Sequence, residues 1–150
     1  MLNTQIRDNL NFLHSPPVIR VATTGAVSIT NNSLTTVNLD AFGFKRDLLH
    51  STVTNPSRVT FATTGIYTLT LQVDWDANAT GRRYASILLN GATVIRAQSM
   101  APASGGQATN QLAMSYDFEA TDYVQVQVYQ DSGGSLNCYP NFEVVWVGGA

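Results

Sequence analysis

Arg58–Asp76 reads RVTFATTGIYTLTLQVDWD, and its pattern decides the fold. After a turn at Thr63–Thr64–Gly65, the residues Tyr67, Leu69, Leu71, Val73 and Trp75 alternate with Thr68, Thr70, Gln72 and Asp74. Successive side chains of a strand point to opposite faces, so the alternation predicts a long strand with one dry and one polar face. Leu69, Leu71 and Val73 are expected in the core.

The same style runs outward in both directions. Strands are expected near 18–22, 26–30, 34–39, 42–49, 57–61, 66–75, 83–90, 93–99, 108–118, 123–130, 135–138 and 142–147. Asn90–Gly91 marks a two-residue hairpin turn, because a type I′ turn needs φ > 0 at both centres. Ser104–Gly105–Gly106 and Ser132–Gly133–Gly134 read as loop tips. Many short strands at this spacing predict a sandwich, jelly roll or barrel. In 123–130, Val124, Val126 and Val128 form a core face, and Tyr123, Gln125, Gln127 and Tyr129 form the other. Taken alone, that second face reads as an ordinary solvent-facing strand. Its ring area and hydrogen-bonding ends also suit a subunit interface.

A chain of 150 residues suits one domain and buries roughly 70% of its unfolded surface. Apolar residues make up 44% and charged ones 12%, with Lys45 the single lysine, so Thr, Asn, Gln and Ser must cover the surface. Such neutral side chains cost less to desolvate than charges, as subunit contacts require. A net charge of −2 gives no basic footprint for nucleic acid. No secretory leader and no run approaching the roughly 20 apolar residues of a membrane helix is visible. Assembly in a cytoplasm is expected. The lone cysteine, Cys138, reads as a small buried hydrophobe.

The helical candidate is 2–14, where Leu2, Ile6, Leu10 and Leu13 fall on one stripe and Asn3, Arg7, Asp8 and Asn11 on other faces. Ser15–Pro16–Pro17 ends it. A helix this short is marginal alone, so the stripe must dock. Its own domain and a further partner are both open as the destination.

Catalytic and metal chemistry find little support. His14 and His50 read as polar surface or loop residues, and Asp47, three residues before His50, falls on the opposite face of a strand. No G-x-S-x-G elbow occurs. Asp74, Asp76 and Asn78 spell the start of a calcium loop, but Ala79 and Ala85 stand where glycine and glutamate are required. A looser calcium site at the strand end stays open, and Arg82 and Arg83, which follow directly, are placed to pair with those aspartates and lower any need for a metal. Glu119 and Asp122 flank a turn and make a poor glycosidase pair. The expectation is no enzyme, no cofactor and no metal.

Together, GIYTLTLQVDW (65–75), GRRYASILLNG (81–91), DYVQVQVYQDSGGSL (122–136) and FEVVWVG (142–148) resemble the complement globular-head and tumour-necrosis-factor-like jelly rolls, particularly those of bacteriophage structural proteins. Gly65, Tyr67 and Leu69 match the G-x-Y-x-hydrophobic strand, and Asn90–Gly91 the strand ending in Asn-Gly. Asp122 and Val124 match part of the late G-D-x-V strand, with Thr121 where glycine is usual. LNTQIRDNLNFL (2–13) is similar to a segment preceding such domains in tailed-phage virion proteins.

The resemblance implies an all-β, ten-stranded jelly-roll sandwich over 18–150 behind an anchor segment over 1–17. It further implies a homotrimer. On that basis Tyr123, Gln125, Gln127 and Tyr129 become the expected trimer interface, and Leu2, Ile6, Leu10 and Leu13 the expected contact with other virion proteins. The implied role is capsid decoration or a head fibre, because a small chain that begins with this domain suits a tail device less well. The alternative is a tail-associated knob that binds a receptor or a host surface glycan.

Overall fold

The structure, a computed structural model, describes residues 2–46 and 50–149, apart from the side chains of Leu2 and Asp8. The sequence readings at Asp47, at the end of the strand expected over 42–49, and at the side chain of Leu2 lie outside the described residues. In chain order the elements are α1 (Leu2–His14), β1 (Val18–Ala22), β2 (Val27–Ile29), β3 (Thr35–Thr36), β4 (Ala41–Arg46), β5 (Arg58–Thr60), β6 (Gly65–Trp75), β7 (Arg83–Leu89), β8 (Thr93–Met100), β9 (Ala108–Phe118), β10 (Tyr123–Gln130) and β11 (Leu136–Gly148).

Two antiparallel sheets face one another. The first runs β4-β1-β11-β6-β9, with β2 also paired to β11, and the second runs β3-β10-β7-β8, with β5 also paired to β10. Strand β6 is buried on alternate residues, as its sequence requires. Leu71 lies between Phe142 of β11 and Leu112 of β9, and all three are buried. Val124, Val126 and Val128 of β10 meet them from the second sheet, fully buried. Near the start of β6, Phe61 stacks on Phe118 at 3.9 Å and tilts against Tyr67 at 4.8 Å. The Tyr67 hydroxyl donates to Thr63 O at 2.7 Å, which settles its one polar atom.

The strands expected over 135–138 and 142–147 are one strand, β11, running through Pro140. Proline has no N–H to give a ladder. Asn137 accepts from Asp76 on the β6 side, so alternation turns the Pro140 nitrogen to the opposite side. There β1 has stopped opposite Asn141 and β2 begins opposite Cys138. The proline therefore fills a gap between neighbours and breaks nothing. Eleven strands among the described residues, against the ten implied, reflect short edge pieces such as β3 and β5.

Gly65 shows why β6 opens on glycine. Its φ is +150°, and a Cβ there would meet Gly148 O at 2.6 Å and the Trp146 indole at 2.7 Å. Trp146 closes this end of the sandwich, and Phe12 of α1 packs edge-on against it at 4.7 Å. The Trp146 N–H donates to Pro17 O at 2.9 Å through the backbone, and Arg46 reaches Ser15 Oγ at 3.1 Å. These contacts bring α1 to the Trp146 end.

Candidate functional site

Three features stand out once the core is accounted for: the helix stripe, the outer face of β10 with its neighbours, and the loops at the end away from α1.

On α1, Ile6, Leu10 and Leu13 are 49%, 59% and 64% exposed. Docking runs through Phe12, which sequence reading missed because it lies off the stripe. At 3.6 residues per turn, Phe12 sits roughly a third of a turn away from the stripe. Fixing Phe12 on Trp146 thus leaves the stripe facing out.

On β10, Tyr123, Gln125, Gln127 and Tyr129 lie on one face as expected, each half-buried. Their polar ends are engaged within the chain. Arg58 stacks over Tyr123 at 4.2 Å. Gln125 donates to Ser57 Oγ at 2.8 Å, Gln127 to Thr36 Oγ1 at 3.1 Å, and Tyr129 to Asn32 Oδ1 at 3.0 Å. The opposite outer face, across β6 and β9, is different. Thr70, Gln72, Gln111, Ala113 and Ser115 are exposed there, with Asp74 and Asp117 at the two ends of the same face; Gln72 donates to Asp74 at 2.8 Å and Ser115 bonds Thr68 at 3.1 Å.

At the far end, the loops are tied by buried polar side chains that the sequence did not announce. Arg83 is fully buried. It donates from Nη1 to Thr80 O at 3.0 Å and Arg82 O at 3.1 Å, and from Nη2 to Asn78 O at 2.9 Å. Burial pulls its pKa down, and Asp131 opposes this. Arg82 pairs with Asp131 at 3.2 Å. Neither arginine meets Asp74 or Asp76, contrary to expectation, because Arg83 turns into the core while Arg82 turns to the β10–β11 loop. Gln130, also buried, donates to Ile29 O at 2.9 Å and Gly134 O at 2.8 Å. Asn110 accepts from the Trp75 indole at 2.9 Å.

The acidic residues raised by the sequence are already bonded. Thr109 donates to Asp74 at 2.7 Å, Asn137 to Asp76 at 2.9 Å, and Thr80 to Asn78 Oδ1 at 2.8 Å. Among the described residues, no three His, Cys, Asp or Glu side chains gather as a metal site would need. Asp122 accepts from Glu119 N at 3.0 Å and Asn90 Nδ2 at 2.8 Å, so this pair shapes a turn.

His50 is a correction. It is buried, with Nδ1 at 2.6 Å from Arg58 O and Nε2 at 2.8 Å from Leu39 O. Both ring nitrogens lie within hydrogen-bonding distance of backbone carbonyls, so the ring sits between two segments and is closed off from a substrate. Cys138 is buried as expected, and burial, with Asp76 adding, pushes its thiol up to about 12.

No protein-family model matches the chain, and no curated protein matches it by sequence. Solved structures do. The globular domain of a zebrafish complement 1qA protein superposes with a TM-score of 0.67 at 11% identity, covering 89% of this chain and 98% of that one. The phage PRD1 vertex protein P5 gives 0.65 at 17%, covering 89% and 99%. Eiger TNF from S. frugiperda gives 0.62 at 12%, covering 89% and 92%. At these identities the likeness establishes the fold. The chain is an all-β jelly-roll sandwich of the tumour-necrosis-factor and complement globular-head kind, with a short N-terminal helix. No helix among the described residues is long and apolar enough to cross a membrane.

Proposed function

We propose that this chain is a virion structural protein, a trimeric jelly-roll knob that decorates a phage capsid and is held there by residues 1–17. The observation that carries the reading is the exposure of Ile6, Leu10 and Leu13 on a helix whose own dock is Phe12. Three exposed leucine or isoleucine side chains are a poor surface for solvent and a good one for a partner. Burying them is worth several kcal/mol at about 25 cal/mol per Å². Three chains acting together multiply that through effective concentration. The likeness of fold to a phage vertex protein over nearly the whole of both chains supports the same class.

For the trimer contact two faces compete. Tyr123, Gln125, Gln127 and Tyr129 of β10 offer ring area, yet their polar ends are bonded at home. The β6–β9 face bonds Gln72 and Ser115 at home too, but its middle at Thr70, Gln111 and Ala113 is exposed and uncharged between Asp74 and Asp117, and we favour it. Charges cost most where a contact must dry out. Ala113→Glu should therefore break the trimer and Gln127→Glu should not. Light scattering of the intact protein should read three times the 16.2 kDa chain mass. A clean monomer would defeat the trimer.

The test of the anchor is deletion of residues 1–14. A folded, soluble knob that no longer joins particles is expected. Normal occupancy by the shortened chain would put the anchor in the jelly roll. The second reading, a tail-associated receptor-binding knob, is favoured by the aromatic groove described below. Copy number per virion separates the two, being high for decoration and low for a tail knob.

A further inference from the structure

On the outer face of the second sheet, Tyr129 of β10 pairs across to Tyr84 of β7, and Tyr84 pairs on to Ser99 of β8. The three side chains form a row across three strands. Leu34, 54% exposed, and Arg82 stand beside the row. The result is a groove of about 320 Å³ lined by Leu34, Arg82, Tyr84, Ser99 and Tyr129. The Arg82 guanidinium lies 5.1 Å from the Tyr129 ring centre and gives its Nε to Asp131. The Tyr129 hydroxyl donates to Asn32.

Each part of this lining restricts the occupant. The floor is two half-buried phenol rings with a leucine at the side, so the ligand must present an apolar surface. The edge carries a guanidinium with five N–H donors, engaged in part by Asp131 and by the Tyr129 hydroxyl, and the Ser99 hydroxyl, which can both donate and accept. A purely apolar ligand would strip water from these groups and return nothing. Because Arg82 and Asp131 cancel each other's charge, the edge selects neither an anion nor a cation. What fits is a neutral molecule with one C–H face and a rim of hydroxyls that both donate and accept. A pyranose ring has that make-up.

We propose that this groove is a saccharide-binding site, in which a pyranose lays its C–H face on Tyr84 and Tyr129 and its hydroxyls meet Arg82 and Ser99. The site belongs to the single chain and stands whether the knob sits on a capsid or a tail.

The experiment is saturation-transfer NMR on the intact protein, with methyl β-galactoside, methyl N-acetyl-β-glucosaminide and sialyllactose as probes. Saturation should pass to the ring C–H protons of at least one probe. Tyr84→Phe should keep binding, since the ring remains, and Tyr84→Ala should weaken it by about tenfold or more. If the alanine variant fails to fold, Ser99→Arg serves, because Ser99 is exposed and an arginine there fills the groove from outside the core. Ser99→Arg should abolish saturation and leave particle incorporation intact, which separates this inference from the virion reading. The proposal is overturned if none of the three probes is saturated, if Ser99→Arg binds as well as the parent, or if the groove takes a proline-rich peptide and no saccharide.

Discussion

Thr121 stands where the jelly-roll pattern that the sequence resembles has glycine, and its backbone gives a reason for glycine there. Its φ is +82°, in the left-handed region, between β9 and β10. The turn is fixed from both sides: Thr121 N donates to Phe61 O at 2.8 Å and Asp122 N to Glu119 O at 3.1 Å. The residue therefore cannot relax without giving up those bonds. A left-handed backbone presses Cβ toward the following carbonyl at a cost of about 1–2 kcal/mol, and a β-branched residue is the worst placed to bear it. Thr121→Gly removes that strain but adds unfolded-state freedom worth about 0.5–1 kcal/mol. The difference is a net gain centred on about 0.75 kcal/mol, within about 0–1.5 kcal/mol. At about 2–4 °C per kcal/mol for this size, the melting temperature should rise by about 1–4 °C. Urea unfolding should show a later midpoint at unchanged slope, as a pure stability change requires. Thr121→Asn should fall between, and Thr121→Val should gain nothing. A glycine variant less stable than the parent would refute the reasoning, because it would mean that the threonine side chain contributes more than its backbone costs.

Leu71→Ala should cost about 2–5 kcal/mol, the range for emptying a core leucine, while Thr70→Ala on the other face should stay within about 0.5 kcal/mol; equilibrium unfolding of the pair checks which face of β6 is dry. Cys138 should resist alkylation in the native protein at mildly alkaline pH and react fully once unfolded. Its thiol sits above the unfolded value in the fold, so the stability it contributes is full below the ordinary thiol pKa and is lost as pH rises toward about 12. Native labelling at the rate of a free thiol would contradict its burial.

Legibility in the sequence followed how local the cause was. Strands β6, β9 and β10 show their bounds because alternation and flanking turns lie within the strand itself. The Asn90–Gly91 turn has φ of 51° and 72°, as its residue types demand. Strand β11 was read as two pieces because Pro140 is a breaker by local rule, and its tolerance depends on where β1 ends and β2 begins, strands more than a hundred residues away. The sequence makes His50 a surface or loop residue and Arg83 a partner for the aspartates, because polar side chains usually stay near solvent. Their burial depends on carbonyls of Leu39, Arg58, Asn78 and Thr80 that no local pattern announces. The groove was half legible. Tyr129 stood out on its strand, but its union with Tyr84 and Leu34 is made by sheet pairing.

The placement of these features gives the knob a direction. Helix α1 meets the sandwich at Trp146, opposite the start of β6. Tyr84 opens β7 and Tyr129 nearly closes β10, which puts the groove beside the loops that Arg83 and Gln130 tie down, at the other end. The eleven residues of β6 span about 35 Å at roughly 3.3 Å per residue. The helix stripe and the groove thus lie near opposite ends of the sandwich, the one beside the first sheet and the other on the second. If the stripe docks on a particle, the groove is carried to the far end of the domain, away from the particle surface. If both proposals hold, an anchor at one end and a binding groove at the other is the arrangement an attachment knob requires.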